Sequence, residues 1–158
     1  MDAVTWARHV TDERAIARYH ALVSDAELPS GCRPWVGALS AQGSGRFWLP
    51  GNRVVVAHRF GFALRFGVAA LLAGAHVAHT CDEASCQTAE HWASTSARQN
   101  TQDWASRRAT IGNPLRDRRG ALGRARALRA AALASRDLDV AARQGLPEVD
   151  LYQDPLPI

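Results

Sequence analysis

Apolar positions change period along the chain. From Val4 to Val23, Val4, Ala7, Val10, Ile16, Tyr19 and Val23 fall near helical spacing, and Ser24, Asp25 and Pro29 stop the pattern. This predicts one N-terminal amphipathic helix. Between residues 35 and 57 the apolar runs are short and rich in aromatic or β-branched side chains: Trp35-Val36, Phe47-Trp48-Leu49 and Val54-Val55-Val56. Gly43-Ser44-Gly45 and Pro50-Gly51-Asn52 separate them, which predicts a small three-stranded antiparallel meander with Arg46 and Arg53 on its outward face. His58 to Phe66 returns to helical spacing with Gly67 as its cap, and Gly74 to His79 suits a short strand. Ser94 or Ser96 can N-cap a helix reaching about Arg108. Arg116 to Gln144, rich in Ala, Leu and Arg and free of Pro, predicts more helix with breaks at Gly120 and Gly123. Leu146 to Ile158, with Pro147, Pro155 and Pro157, predicts an extended tail.

The class that follows is α+β, a small antiparallel sheet with flanking N- and C-terminal helices. At 158 residues, 47% of them apolar, the chain suits a single domain with one modest core. Residues 1–28 form its N-terminal part, 31–108 its centre and 109–158 an Arg-rich helical region with the tail.

Charge sharpens this picture. The 19 basic residues are all Arg, against 15 acidic ones, and guanidinium favours planar, bidentate phosphate contacts. Residues 28–129 hold fourteen Arg against five acids, whereas both flanking segments are net acidic. No acidic side chain stands between Leu28 and Cys81, and a surface of one sign is suited to a polyanion. No apolar run reaches the roughly 18 residues that a membrane span needs. Asp2, Asp12 and Glu13 occupy the place where a signal peptide has a basic and then an apolar region, so the expectation is a cytoplasmic protein.

Chemistry concentrates between residues 79 and 100. Cys81 and Cys86 are separated by four residues and His91 follows after four more, a spacing that suits tetrahedral zinc. Adding Cys32 uses every thiol in the chain, and four protein ligands make a closed, structural centre. The other reading of Cys32 is a small buried hydrophobe, with Cys81 and Cys86 incidental. His79 is left over by the metal, and Asn100 stands on the predicted helix nine residues past His91. A neutral imidazole can take a proton from water, and an amide oxygen can ligate a hard divalent cation. These are parts of a hydrolytic phosphodiesterase, although a lone His is more often a packed or surface residue.

The run His79-x-Cys81-x4-Cys86-x4-His91-x8-Asn100 resembles the His-Cys box homing endonucleases and the wider HNH, or ββα-metal, nuclease group. Gly31-Cys32 ahead of Trp35, Gly45-Arg46-Phe47, the Val54-Val55-Val56 strand and Ala57-His58-Arg59-Phe60 fit the same pattern, so the resemblance covers about residues 31–108. It implies a zinc-bound ββα-metal motif after the sheet, and a Mg²⁺-dependent DNA endonuclease of homing, phage or mobile-element type. His79 would be the general base that activates water, Asn100 would hold the catalytic Mg²⁺, and Arg46 would contact the scissile phosphate. Zinc on Cys32, Cys81, Cys86 and His91 would be structural only.

Double-stranded DNA is the implied partner. Gln42 and Arg53 are candidates for base-edge contacts from the sheet, and Arg107, Arg108, Arg116, Arg118 and Arg119 for phosphate contacts. A homodimer cutting both strands of a near-palindrome fits this scheme. Three departures stand out. Ala78 replaces the Asp that many relatives carry before the base histidine. Thr88-Ala89 replaces the Asn-Pro before the zinc histidine, which removes a loop-bracing amide. No cysteine follows Cys86, so the second zinc cluster of some His-Cys box enzymes is impossible. Two other readings remain: a catalytically inactive, zinc-containing DNA-binding regulator, favoured by Ala78, and an RNA-directed or nonspecific nuclease.

Overall fold

The computed structural model describes residues 1–74 and 76–152. The N-terminal stretch is two helices where one was expected: α1 (Ala3–Val10) and α2 (Glu13–His20). Asp12 causes the break, because its carboxylate accepts from the backbone N–H of Arg14 and Ala15 and so caps a new helix. The expected three-stranded meander is a two-stranded hairpin, β1 (Arg46–Leu49) antiparallel to β2 (Arg53–Val56). Trp35-Val36 lies outside it. Trp35 bridges to Val23 and donates its N–H to Ser85, so this segment binds neighbours far along the chain.

Helix α3 (Ala57–Phe66) follows β2 directly and ends at Gly67, whose φ of +89° favours glycine. Gly61 lies mid-helix because Tyr19 and Trp92 press against it, leaving no room for a Cβ. A short helix, α4 (Val68–Ala73), precedes β3 (His76–His79), which pairs antiparallel with β4 (Trp92–Thr95) in register His79↔Trp92. Neither α4 nor β4 was expected from the sequence. Ser96 then caps α5 (Ala97–Arg107) by accepting from the Gln99 N–H, as expected.

The C-terminal region folds into α6 (Gly120–Leu133), α7 (Leu138–Arg143) and a single turn, α8 (Glu148–Leu151). The break falls at 134–137, not at Gly123, where Ser135 has a positive φ and Asp137 caps α7. The turn α8 lies within the tail expected to be extended, and residues 153–158 are outside the described residues.

The class is α+β, with two small antiparallel sheets and flanking helices. One cluster of buried side chains packs Trp6, Tyr19, Trp35, Phe47, Phe60 and Trp92 together, with the Phe47 and Phe60 rings 4.8 Å apart. A second joins Leu28, Cys32 and Cys86 to Leu128, Ala131, Leu138 and Ala142 of α6 and α7. The loop between β3 and β4 lies where the two clusters meet. No helix among the described residues is long and apolar enough to cross a membrane.

Candidate metal centre and adjoining cleft

Pairing of β3 with β4 closes the base of a loop that carries Cys81, Cys86 and His91. The Thr80 N–H donates to the His91 carbonyl at 2.9 Å, so the two ends of the loop are held side by side. Cys32 reaches it from a distant segment. Residues 31–35 lie along residues 85–88: Gln87 N–H donates to Arg33 O, Trp35 N–H to Ser85 O, and Pro34 bridges to Cys86. Thr88 completes this seam, its hydroxyl donating to Gly31 O at 2.7 Å and accepting from Arg33 N–H at 3.1 Å. The bracing expected to be lost with Asn-Pro is thus supplied by a hydroxyl.

The ligand atoms of Cys32, Cys81, Cys86 and His91 all lie within 4.8 Å of one another. His91 Nδ1 is 3.4 Å from Cys32 Sγ and 3.5 Å from Cys86 Sγ. A tetrahedral zinc with ordinary Zn–S and Zn–N bonds sets an N-to-S edge of about 3.6 Å. The donors therefore already stand at the separation the ion imposes, and a Cys3His set is of the chemical type zinc takes. Hydrogen bonds from the Cys32 and Cys81 thiols, and one from the Thr88 N–H, hold the Cys86 pKa far below the usual thiol range, while that of Cys81 is pushed up.

His79 ends β3 beside this loop. Its Nε2 lies 2.9 Å from the Cys86 carbonyl, which can only accept, so Nε2 carries the proton and Nδ1 is the basic nitrogen. Burial lowers its pKa and keeps the ring neutral near pH 7. His58 of α3 packs edge-on against it, ring centroids 4.5 Å apart. Burial, then the neighbouring His79, pushes the His58 pKa down to about 3, and its Nδ1 has no hydrogen-bond partner.

His79 lines an open cleft of about 540 Å³, together with Asn100, Thr101, Trp104 and Arg107 of α5 and Gln42 and Ser44 from the turn before β1. The Asn100 amide makes no hydrogen bond among the described residues, so its oxygen is open to a ligand. The arrangement offers a neutral imidazole and an amide lining one cleft, with the Cys3His cluster in the adjoining loop.

No family model, curated protein or solved structure matches the chain. The chemistry of the cleft therefore rests on its own geometry.

The other residues singled out from the sequence are dispersed. Gln42 reaches the cleft, but Arg46 lies outside its lining, exposed, with its guanidinium 5.2 Å above the Trp48 ring. Arg53 is exposed at the far end of the hairpin, opposite Leu49. Arg108 stacks on Trp104, and Arg118 is exposed. Three arginines expected to face phosphate instead hold carboxylates of the fold: Arg107 on Asp82, Arg116 on Asp150 and Arg119 on Asp117, each through two hydrogen bonds. Asp82, His58 and Thr88 had been given no role at the site from the sequence. Asp82 alone had a usable signal, as an acid next to a ligand cysteine in an acid-poor stretch.

Proposed function

We propose that the chain is a zinc-stabilised, Mg²⁺-dependent DNA endonuclease of the ββα-metal type, with His79 as general base. The observation that carries this reading is the hydrogen bond from His79 Nε2 to the Cys86 carbonyl. It fixes the tautomer whose Nδ1 accepts a proton, and it ties the ring to a residue of the metal cluster. Asn100, with an unengaged amide in the same cleft, is the residue suited to hold the second cation.

In this mechanism the cleft admits a phosphodiester, His79 Nδ1 takes a proton from water as the water oxygen bonds to phosphorus, and the bond from phosphorus to the 3′ oxygen breaks, that oxygen taking a proton from solvent. Asn100 would hold a Mg²⁺, which would supply charge stabilisation for the displacement. His79 keeps its orientation throughout because Nε2 stays on the carbonyl. Zinc on Cys32, Cys81, Cys86 and His91 orders the loop and stays out of the reaction. Exposed Arg46, Arg53, Arg108 and Arg118 would supply attraction for the DNA backbone.

A second reading, a DNA-binding regulator that does not cut, is favoured by one observation. Ala78 puts no carboxylate immediately before His79, and its neighbour across the sheet is Ala93. Incubating zinc-loaded protein with supercoiled plasmid in Mg²⁺ and in EDTA separates the two. The nuclease converts plasmid to nicked and linear forms in Mg²⁺ alone, leaving 5′-phosphate ends. Gel shifts without cutting across a panel of plasmids and genomic DNA favour the regulator.

A further inference from the structure

Helix α5 has no fully buried residue; its least exposed side chains, Asn100, Asp103 and Arg107, are polar and recur at helical spacing, and its one large apolar side chain, Trp104, is 45% exposed. Polar contacts therefore carry much of its attachment to β3. Arg107 provides them: Nε and Nη2 donate to the two Asp82 oxygens, both at 2.8 Å, and Nη2 also reaches the His79 carbonyl at 3.4 Å. The Asp82 side chain is only 6% exposed and accepts a further bond, at 2.8 Å, from the Asn113 amide in the chain following α5. Asp82 follows the ligand Cys81 directly and has a φ of +57°. Asn100 stands two turns before Arg107 on the same face, about 10 Å along the helix axis.

We propose that Asp82 and Arg107 are positioning residues: their ion pair is the strut that ties α5 to the metal-binding loop and sets the distance between Asn100 and His79. The functional half of this rests on the nuclease reading. The bidentate pair fixes both separation and angle, as a single bond could not. Metal-ligating side chains depend on such supporting contacts for affinity, and here the support acts through a helix that has no fully buried side chain.

The test uses the full chain loaded with zinc, comparing wild type with Asp82→Asn, Arg107→Gln and Arg107→Lys. Asn tolerates the backbone at position 82 and keeps one acceptor; Lys keeps the charge and one bond. Hydrogen exchange reads the strut without reference to activity. Amides of residues 97–107 should lose about tenfold protection in Asp82→Asn and Arg107→Gln, while β3, β4 and zinc content stay as in wild type. In the plasmid assay, the Mg²⁺ concentration for half-maximal cutting should rise about tenfold or more in Asp82→Asn and Arg107→Gln, with Arg107→Lys in between.

Unchanged protection of α5 overturns the strut. Protection lost with an unchanged Mg²⁺ requirement, or zinc lost in step with activity in both single variants, overturns the positioning role and leaves a structural ion pair. If wild type cuts no DNA, the nuclease reading fails, and the exchange result still decides whether the pair holds the helix.

Discussion

Cys86 joins the two halves of the site within one residue. Its sulfur belongs to the Cys3His cluster, and its carbonyl accepts from His79 Nε2 at 2.9 Å and from the Trp92 indole at 3.4 Å. Cys86→Ser should therefore abolish zinc binding and the cooperative melting transition together, because the ion supplies folding free energy at a structural centre. Metal analysis and a thermal scan check this; a normal transition without zinc contradicts it. His58 sets a different expectation. Its pKa falls from 6.5 in an open chain to about 3 in the fold, so its stabilising effect is complete above pH 6.5 and is lost as pH falls towards 3. Between those limits it steepens acid destabilisation by up to about 1.4 kcal/mol per pH unit. Urea midpoints from pH 7 to pH 5 should fall faster for wild type than for His58→Gln, and parallel profiles would show that the ring is not held neutral. At this scale the sequence brought out the clustered side chains, Cys81, Cys86 and His91 through their spacing and Cys32 through the count of thiols. His58, Asp82 and Thr88 escaped because their partners lie 21, 25 and 57 residues away, at distances no local pattern encodes.

Among the elements, those with strong local signals were legible: α3 with its Gly67 cap, β3 ahead of the ligands, and α5 with its Ser96 cap. Errors arose where one local interaction outweighed a periodic pattern, as at Asp12, whose cap splits the N-terminal stretch. Asp12→Ala should cost about 1 kcal/mol of stability, the usual value of such a cap. A urea titration reads it, and no change in midpoint would mean that α2 starts without its cap. The third expected strand failed for the opposite reason. Trp35-Val36 has strand composition, but its backbone is committed to Ser85 and Leu22, and that pairing brings Cys32 to the cluster. Composition announced a strand without naming its neighbour.

Across the whole molecule, the C-terminal helices act as a clamp on the metal loop. Buried Arg124 of α6 donates to Glu83 of the loop at 2.6 Å, to Asp117 at 3.3 Å and to the Ala142 carbonyl at 3.0 Å. Arg129 reaches the Val36 carbonyl from the same helix. Burial raises the Glu83 pKa against the pull of Arg124, so the carboxylate depends on its partner to stay charged. Arg124→Met should cost about 3–5 kcal/mol by leaving a buried acid unpaired. Loss of less than about 1 kcal/mol in chemical denaturation, the value of an exposed pair, would show that the clamp is not needed. The Arg excess in the sequence led to the expectation of phosphate contacts; that Arg107, Arg116, Arg119 and Arg124 hold carboxylates of the fold was not legible, since charge counts do not tell a buried guanidinium from an exposed one. The most direct measurement compares plasmid cutting by wild type and His79→Ala, both zinc-loaded and both retaining DNA in a gel shift. If Nδ1 of His79 is the base, wild type should cut in Mg²⁺ and the variant should be slower by at least about 100-fold, the usual contribution of a general base. Cutting by His79→Ala at the wild-type rate would contradict that assignment.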